Sequence, residues 1–104
     1  MPCLKVHPEE AVALLEERIG AMKTIRNTGD GPEYYDVVGW MSATHSAIDR
    51  VYGGDEIHPE EIRAIGLPAC SCNAGRSAQM ILDVYRAKLQ DYIDEIRRYM
   101  PEEG

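Results

Sequence analysis

The chain of 104 residues contains no phenylalanine and draws its aromatic side chains from six tyrosines and one tryptophan. A buried tyrosine ring carries a hydroxyl group that must find a hydrogen-bond partner. A core built only of apolar rings is therefore excluded, and we expect the tyrosines to lie at a wet boundary or at an interface.

Basic residues and long apolar runs are also scarce. Eleven lysines and arginines stand against 18 aspartates and glutamates, which gives a net charge of -7. Nucleic acids and anionic membranes need a basic footprint, so we expect neither as a partner. No apolar stretch approaches the roughly 20 residues of a membrane span, and the first residues turn acidic before a signal-peptide core can form.

Cysteine is sparse as well, with three in the chain. An odd number of thiols without a secretory signal predicts reduced cysteines in a cytoplasmic protein. The length and the ordinary apolar content predict a single domain over 1–104. None of these features implies a cofactor.

The tetrapeptide HPEE occurs twice, beginning at His7 and at His58. Proline in the first turn of a helix, followed by two acids, is typical of a helix N-terminus, because the acids face the positive end of the helix dipole. Beyond the tetrapeptide the two halves of the chain do not align. We therefore interpret the repeat as two independent helix starts rather than as a duplication.

Apolar residues recur at helical spacing through four segments, at about 8–27, 31–52, 59–65 and 73–100. No segment alternates convincingly as a strand. The sequence therefore predicts an all-α fold, a compact antiparallel bundle of three long helices plus one short connecting helix.

The last helix carries a regular seam with gaps of three and four residues. At about 28 residues this helix would be roughly 40 Å long, against about 30 Å for the first two. An overhanging apolar seam needs a partner, and we expect a second copy of the chain, a homodimer, to supply it. The interface candidates are Leu82, Tyr85, Leu89, Tyr92, Ile96 and Tyr99.

His45 interrupts the apolar seam of the second long helix. A buried histidine bonded to a tyrosine hydroxyl or to a backbone carbonyl is one interpretation. The alternative is a small-ligand groove lined by His45 and the tyrosines.

The stretch CSCNAGRS, 70–77, holds Cys70, Asn73, Arg76 and Ser77 at the spacing Cys-x-x-Asn-x-x-Arg-Ser. It resembles the phosphate loop of the low-molecular-weight tyrosine phosphatases and the thioredoxin-linked arsenate reductases, over eight residues. The resemblance implies that Cys70 is a nucleophile, that Arg76 clamps an oxyanion and that Ser77 supports the thiolate. In that family the cysteine follows a buried strand, whereas here a predicted short helix and a proline turn precede it.

Two weaker uses of this stretch stay open. The start of the last helix could hold an anion without any chemistry, with candidates Asn73, Gly75, Arg76 and Ser77. Cys70 and Cys72, together with His58, are candidates for a metal or redox site.

The sequence thus favours an acidic helical module that binds other macromolecules and self-associates through its last helix. A thiol, anion or metal site at Cys70, Cys72 and Arg76 is the first alternative, and the groove at His45 is the second. We do not expect an enzyme, because no complete set of catalytic residues is recognisable.

Overall fold

Four α-helices dominate the structure, a computed structural model that describes residues 4–29, 31–53, 57–65 and 74–99. The helices are α1 (Pro8–Gly20), α2 (Tyr34–Val51), α3 (His58–Arg63) and α4 (Ala74–Arg98). A 3-10 turn, Ala21–Thr24, follows α1, and two short strands, β1 (Asn27–Thr28) and β2 (Gly31–Pro32), pair antiparallel before α2. The predicted all-α bundle is confirmed. Within the described residues, every helix falls short of the length or the apolar character that a bilayer crossing requires.

The α-helical part of the first segment is shorter than its apolar spacing predicts. After Gly20 the backbone tightens into the 3-10 turn, where the Thr24 hydroxyl donates to the carbonyl of Ala21 at 2.7 Å. Ile25 then takes an extended conformation with φ -75° and ψ 122°. Its side chain is buried, so leaving the helix at this point places Ile25 in the core.

Consecutive helices run in opposite directions. At one end of the α1–α2 pair the N–H of Lys5 donates to the carbonyl of Val51 at 2.8 Å, and at the other end Arg26 binds Asp36. The same holds for the short helix α3 against α4, because residues early in α3 contact late residues of α4 and the end of α3 contacts earlier ones. The bundle is therefore up-down-up-down, with a third helix of six residues.

The turn between α1 and α2 is fixed by charged side chains. Asp36 accepts hydrogen bonds from the N–H of Arg26 at 3.1 Å and from its Nε at 2.9 Å. The guanidinium and the backbone of Arg26 lower the pKa of Asp36 to about 2. Glu33 caps α2 by accepting from the N–H of Asp36 at 2.9 Å. Gly31, with φ 122°, makes the reversal that brings these groups together.

One apolar core runs the length of the bundle, and Trp40 joins its elements. The indole Nε1 donates to the carbonyl of Arg18 on α1 at 2.8 Å. Its ring meets that of Tyr85 on α4 edge to face, at 5.4 Å between centroids. Side chains of α1, α2 and α4 thus pack together around Trp40. Burial of this apolar surface is the main source of the stability of the fold.

The predicted interface seam of α4 lies largely inside this core. Five of its six side chains are buried in the single chain, and only Tyr99 among the six is exposed, by 49%. The five are Leu82, Tyr85, Leu89, Tyr92 and Ile96. Helix α4 is covered by the other helices as far as Ile96, so this seam is not free to bind a second copy. Self-association stays a prediction, but the overhanging apolar seam from which it was inferred is buried within the chain.

Thr44 provides a test of the core. It is fully buried on α2, and its hydroxyl has no hydrogen-bond partner among the described residues. Replacing Thr44→Val keeps the shape and removes the unsatisfied group, so the free energy of unfolding in urea should rise by about 1 kcal/mol. The control Thr44→Ser keeps the hydroxyl and loses a methyl group, and should lower it by about 1 kcal/mol. Equal destabilisation by both variants would contradict this account.

Candidate functional site

The cysteine-containing stretch lies mostly outside the described residues. This applies to Cys70, Cys72 and Asn73. The backbone of 75–77 belongs to the first turn of α4, but the side chains of Arg76 and Ser77 are also outside the description. The residues before this stretch are helical through Arg63, with no strand among the described ones. An anion, metal or redox site here therefore stays a prediction.

His58, a metal candidate from the sequence, is instead packed between aromatic rings. Its imidazole stacks on Tyr52 at 4.5 Å with an angle of 2°, and the ring of Tyr92 meets it edge to face at 4.7 Å. Its Nε2 lies 2.7 Å from Oε1 of Glu95 on α4. The side chain is 11% exposed. These contacts anchor the first residue of α3 to both α2 and α4.

Tyr92 completes this anchor. Its hydroxyl lies 3.2 Å from the carbonyl of His58 and 3.2 Å from Oε1 of Glu61, and it can donate a hydrogen bond to either. Burial raises the pKa of Tyr92, and the neighbouring carboxylate of Glu61 adds to the effect. The hydroxyl thus stays protonated at neutral pH and acts as a donor to α3.

An open cleft of about 380 Å³ lies beside this cluster. Four carboxylates line it, and Arg98 adds one positive charge; the carboxylates are those of Glu61, Asp91, Asp94 and Glu95. The described part of the chain contains no group of three histidine, cysteine or acidic side chains placed to hold a metal ion. The cleft is therefore an acidic surface whose described carboxylates are not arranged as metal ligands.

His45 lies at the junction of α2, α3 and α4. Its Nε2 is 2.7 Å from the hydroxyl of Tyr85, which also lies 3.2 Å from the carbonyl of Ile62. Burial raises the pKa of Tyr85 to about 12. Burial also lowers the pKa of His45; nearby Arg63 lowers it further, and Asp49 opposes the change. His45 and Tyr85 therefore form a structural bridge, as one sequence interpretation had it, and the Tyr85 hydroxyl faces protein groups rather than an open groove.

A further cleft, of about 490 Å³, lies between α1 and α4. Met22, Lys23 and Arg86 are among its lining residues, and neither His45 nor a tyrosine is. It is thus separate from the groove that the sequence suggested at His45.

The exposed side of α2 has a composition unlike the rest of the surface. Residues 37–48 contain no aspartate, glutamate, lysine or arginine, although these make up 28% of the chain. Six exposed residues of α2 lie on one side of the helix, and we call them the α2 outer face: Tyr35, Val38, Gly39, Ser42, Ala43 and Ser46. Tyr35 is 79% exposed and Val38 39%.

Small residues let another backbone approach this face. A Cβ atom added at Gly39 would meet nothing within 4 Å, and Ala43 is exposed one turn further on. The spacing of Gly39, Ala43 and Ala47 suggests a close neighbour, yet of the three only Ala47 is buried within the chain. The sequence signal that was overlooked is the charge-free run of twelve residues in a strongly charged chain.

Comparison of the chain with models of known protein families, with curated proteins and with solved structures found no match. The function must therefore be argued from the geometry and chemistry of the surface. His45, His58, Tyr85 and Tyr92 are engaged in contacts that hold α2, α3 and α4 together. The residues of the α2 outer face lie outside the core.

The two HPEE histidines provide a matched test of this packing. His7 is exposed, and its Nδ1 accepts from the N–H of Glu9 at 3.2 Å as a cap of α1, whereas His58 is buried between two rings. We expect His58→Ala to lower the free energy of unfolding by about 3 kcal/mol, since it leaves a cavity. His7→Ala should cost about 1 kcal/mol. Equal losses in chemical denaturation would show that His58 does not anchor α3.

The pKa of His45 predicts a pH dependence. Because the folded chain lowers this pKa below its ordinary value of 6.5, the unfolded chain binds the proton more readily. Stability from this group is therefore present above pH 6.5 and is lost as the pH falls below it. His45→Gln retains hydrogen bonding and removes the titration, so it should lose less stability than the native chain between pH 7.5 and pH 5.5. Identical pH profiles in urea denaturation would contradict this.

Proposed function

We propose that this chain is a protein-interaction module that docks a protein on the α2 outer face. The observation that supports the proposal is the charge-free, exposed character of this face over three turns of helix. A solvated helix face normally carries charges at every turn. Exposed α1 and α4 residues follow this rule, as the acids Glu9, Glu16, Asp83 and Asp94 illustrate.

The shape and the side chains of the face suit a protein rather than a small ligand. From Tyr35 to Ser46 the face covers twelve positions and about 18 Å of helix. A smooth convex helix surface cannot enclose a metabolite. Tyr35, the most exposed large hydrophobic side chain in the described part of the chain, can act as an aromatic anchor, a residue type enriched at interface centres. Its ring is held against Tyr34 edge to face at 5.5 Å, which limits the rotamer entropy lost on binding.

The histidine clusters at His45 and His58 support a docking surface rather than a catalytic site, because their side chains already bind other residues of the fold. His45 holds Tyr85, and His58 holds Glu95. Both tyrosine hydroxyls that contact α3 are buried donors with raised pKa values. A catalytic role for either histidine would break the contacts that position α3.

Site-specific photo-crosslinking tests the proposal. A photoreactive amino acid replaces Ser42 on the α2 outer face, and in a matched variant it replaces Ala13, an exposed residue of α1. In cells that make the full chain, we expect a discrete covalent adduct from position 42 and none from position 13. The adduct should be lost when Ala43→Glu is added, since this places a charge at the centre of the face.

Two outcomes would reject the proposal. The first is an equal adduct pattern from both positions, and the second is the absence of any adduct from position 42. Circular dichroism of each variant controls for folding.

A further inference from the structure

We infer that the cleft between α1 and α4 binds a small organic carboxylate with an apolar body. This α1–α4 cleft has a volume of about 490 Å³, within the range of small-molecule sites in proteins. Two bases, Lys23 and Arg86, line it together with apolar and small residues. None of its lining residues belongs to the α2 outer face, so the inference does not depend on the docking function.

Arg86 lacks the close carboxylate partner that other arginines of this acidic chain have. Three other arginines each lie within 3.1 Å of a carboxylate oxygen: Arg18, Arg26 and Arg97. Arg86 reaches Asp83 only at 3.9 Å, and its Nη2 lies 3.6 Å from the sulfur of Met22. A thioether sulfur is a weak acceptor. The guanidinium can therefore still donate to a stronger acceptor in the cleft.

Lys23 adds a second positive charge to the α1–α4 cleft. Its side chain forms no ion pair or hydrogen bond within the described part of the chain. The lining also includes the carboxylate of Glu16, but this group accepts a hydrogen bond from Arg97 at 3.1 Å and is thus balanced by a base that does not line the cleft. Positive charge therefore prevails here although the whole chain carries -7, and the local field favours an anion.

The rest of the lining suits an apolar body. Ile19 packs against the core, and Met22 is buried beneath Arg86. Gly20 leaves the backbone of α1 bare, since a Cβ atom added there would meet nothing within 4 Å. A ring can thus lie over Gly20 and Ile19, and the sulfur of Met22 makes a favourable contact with an aromatic edge.

The two bases favour a carboxylate over a free phosphate. A carboxylate can accept two parallel hydrogen bonds from the guanidinium of Arg86, and the ammonium of Lys23 adds attraction. A single negative charge is enough for this. Inorganic phosphate would leave the apolar part of the cleft unused, so the attached apolar body is what distinguishes the expected ligand.

Titration of the purified full chain with phenylacetate, followed by two-dimensional NMR, tests the inference. We expect saturable shifts of the amide signals of Gly20, Met22 and Lys23, with a dissociation constant on the order of millimolar for a ligand of this size. Phenylacetamide keeps the ring without the charge, and inorganic phosphate keeps negative charge without the ring. Each should bind about tenfold more weakly or less.

Four variants locate the site. Arg86→Gln should raise the dissociation constant of phenylacetate about tenfold, and Lys23→Gln about threefold. The matched control Lys88→Gln removes the same charge from α4 outside the cleft and should leave the constant unchanged. Gly20→Leu fills the cleft without changing any charge and should raise the constant at least about tenfold.

Gly20→Leu also separates binding from folding. Residue 20 is helical, and glycine is unfavourable within a helix, so the Tm of this variant should not fall. A loss of binding at an undiminished Tm cannot come from unfolding.

Four results would overturn the inference. The first is the absence of a saturable shift with phenylacetate at concentrations on the order of 20 mM. The second is equal binding of phenylacetamide or inorganic phosphate, since the cleft would then recognise only the ring or only the charge. The third is equal weakening by Lys88→Gln and Arg86→Gln, and the fourth is unchanged affinity in Gly20→Leu, which would place the ligand elsewhere.

Discussion

The attachment of α3 by aromatic side chains is the constraint on which the rest of the structure depends. A helix of six residues is too short to be stable in water alone. Here the hydroxyl of Tyr85 reaches the carbonyl of Ile62, and that of Tyr92 reaches the carbonyl of His58. The His58 ring is enclosed by Tyr52 and Tyr92. Phenylalanine could fill the same volume but could not bind a carbonyl, which accounts for tyrosine at positions 85 and 92.

The side chains that attach α3 are also those whose types suggest acid–base catalysis. A histidine beside a tyrosine and a histidine beside a glutamate both look like proton-transfer pairs. In this bundle the His45–Tyr85 pair joins α2 to α4, and the His58–Glu95 pair joins α3 to α4, both through part-buried contacts. Burial keeps the hydroxyls of Tyr85 and Tyr92 protonated. The residues of the α2 outer face, by contrast, are uncharged, mostly small and exposed. The proposed function therefore falls on a surface rather than in a pocket.

Local signals in the sequence were enough to predict the helices. Proline with two acids marks the starts of α1 and α3, and the three-and-four spacing of apolar residues carries α2 and α4. These signals act within a turn or two, so one sequence contains them. The early end of α1 was not predictable, because it depends on the burial of Ile25 against distant helices. The small residues Gly39 and Ala43 were visible too, but not whether they faced the core or solvent.

The sequence by itself thus determined an acidic, all-α chain and the approximate positions of its helices, since periodicity, capping and charge are local properties. The tertiary structure decided which apolar seam is covered: that of α4 packs inside, while the uncharged side of α2 stays outside. It also gave two identical HPEE motifs different roles, an exposed cap at His7 and a buried anchor at His58. Burial depends on which helices lie alongside, and this is set by contacts between residues far apart in the chain.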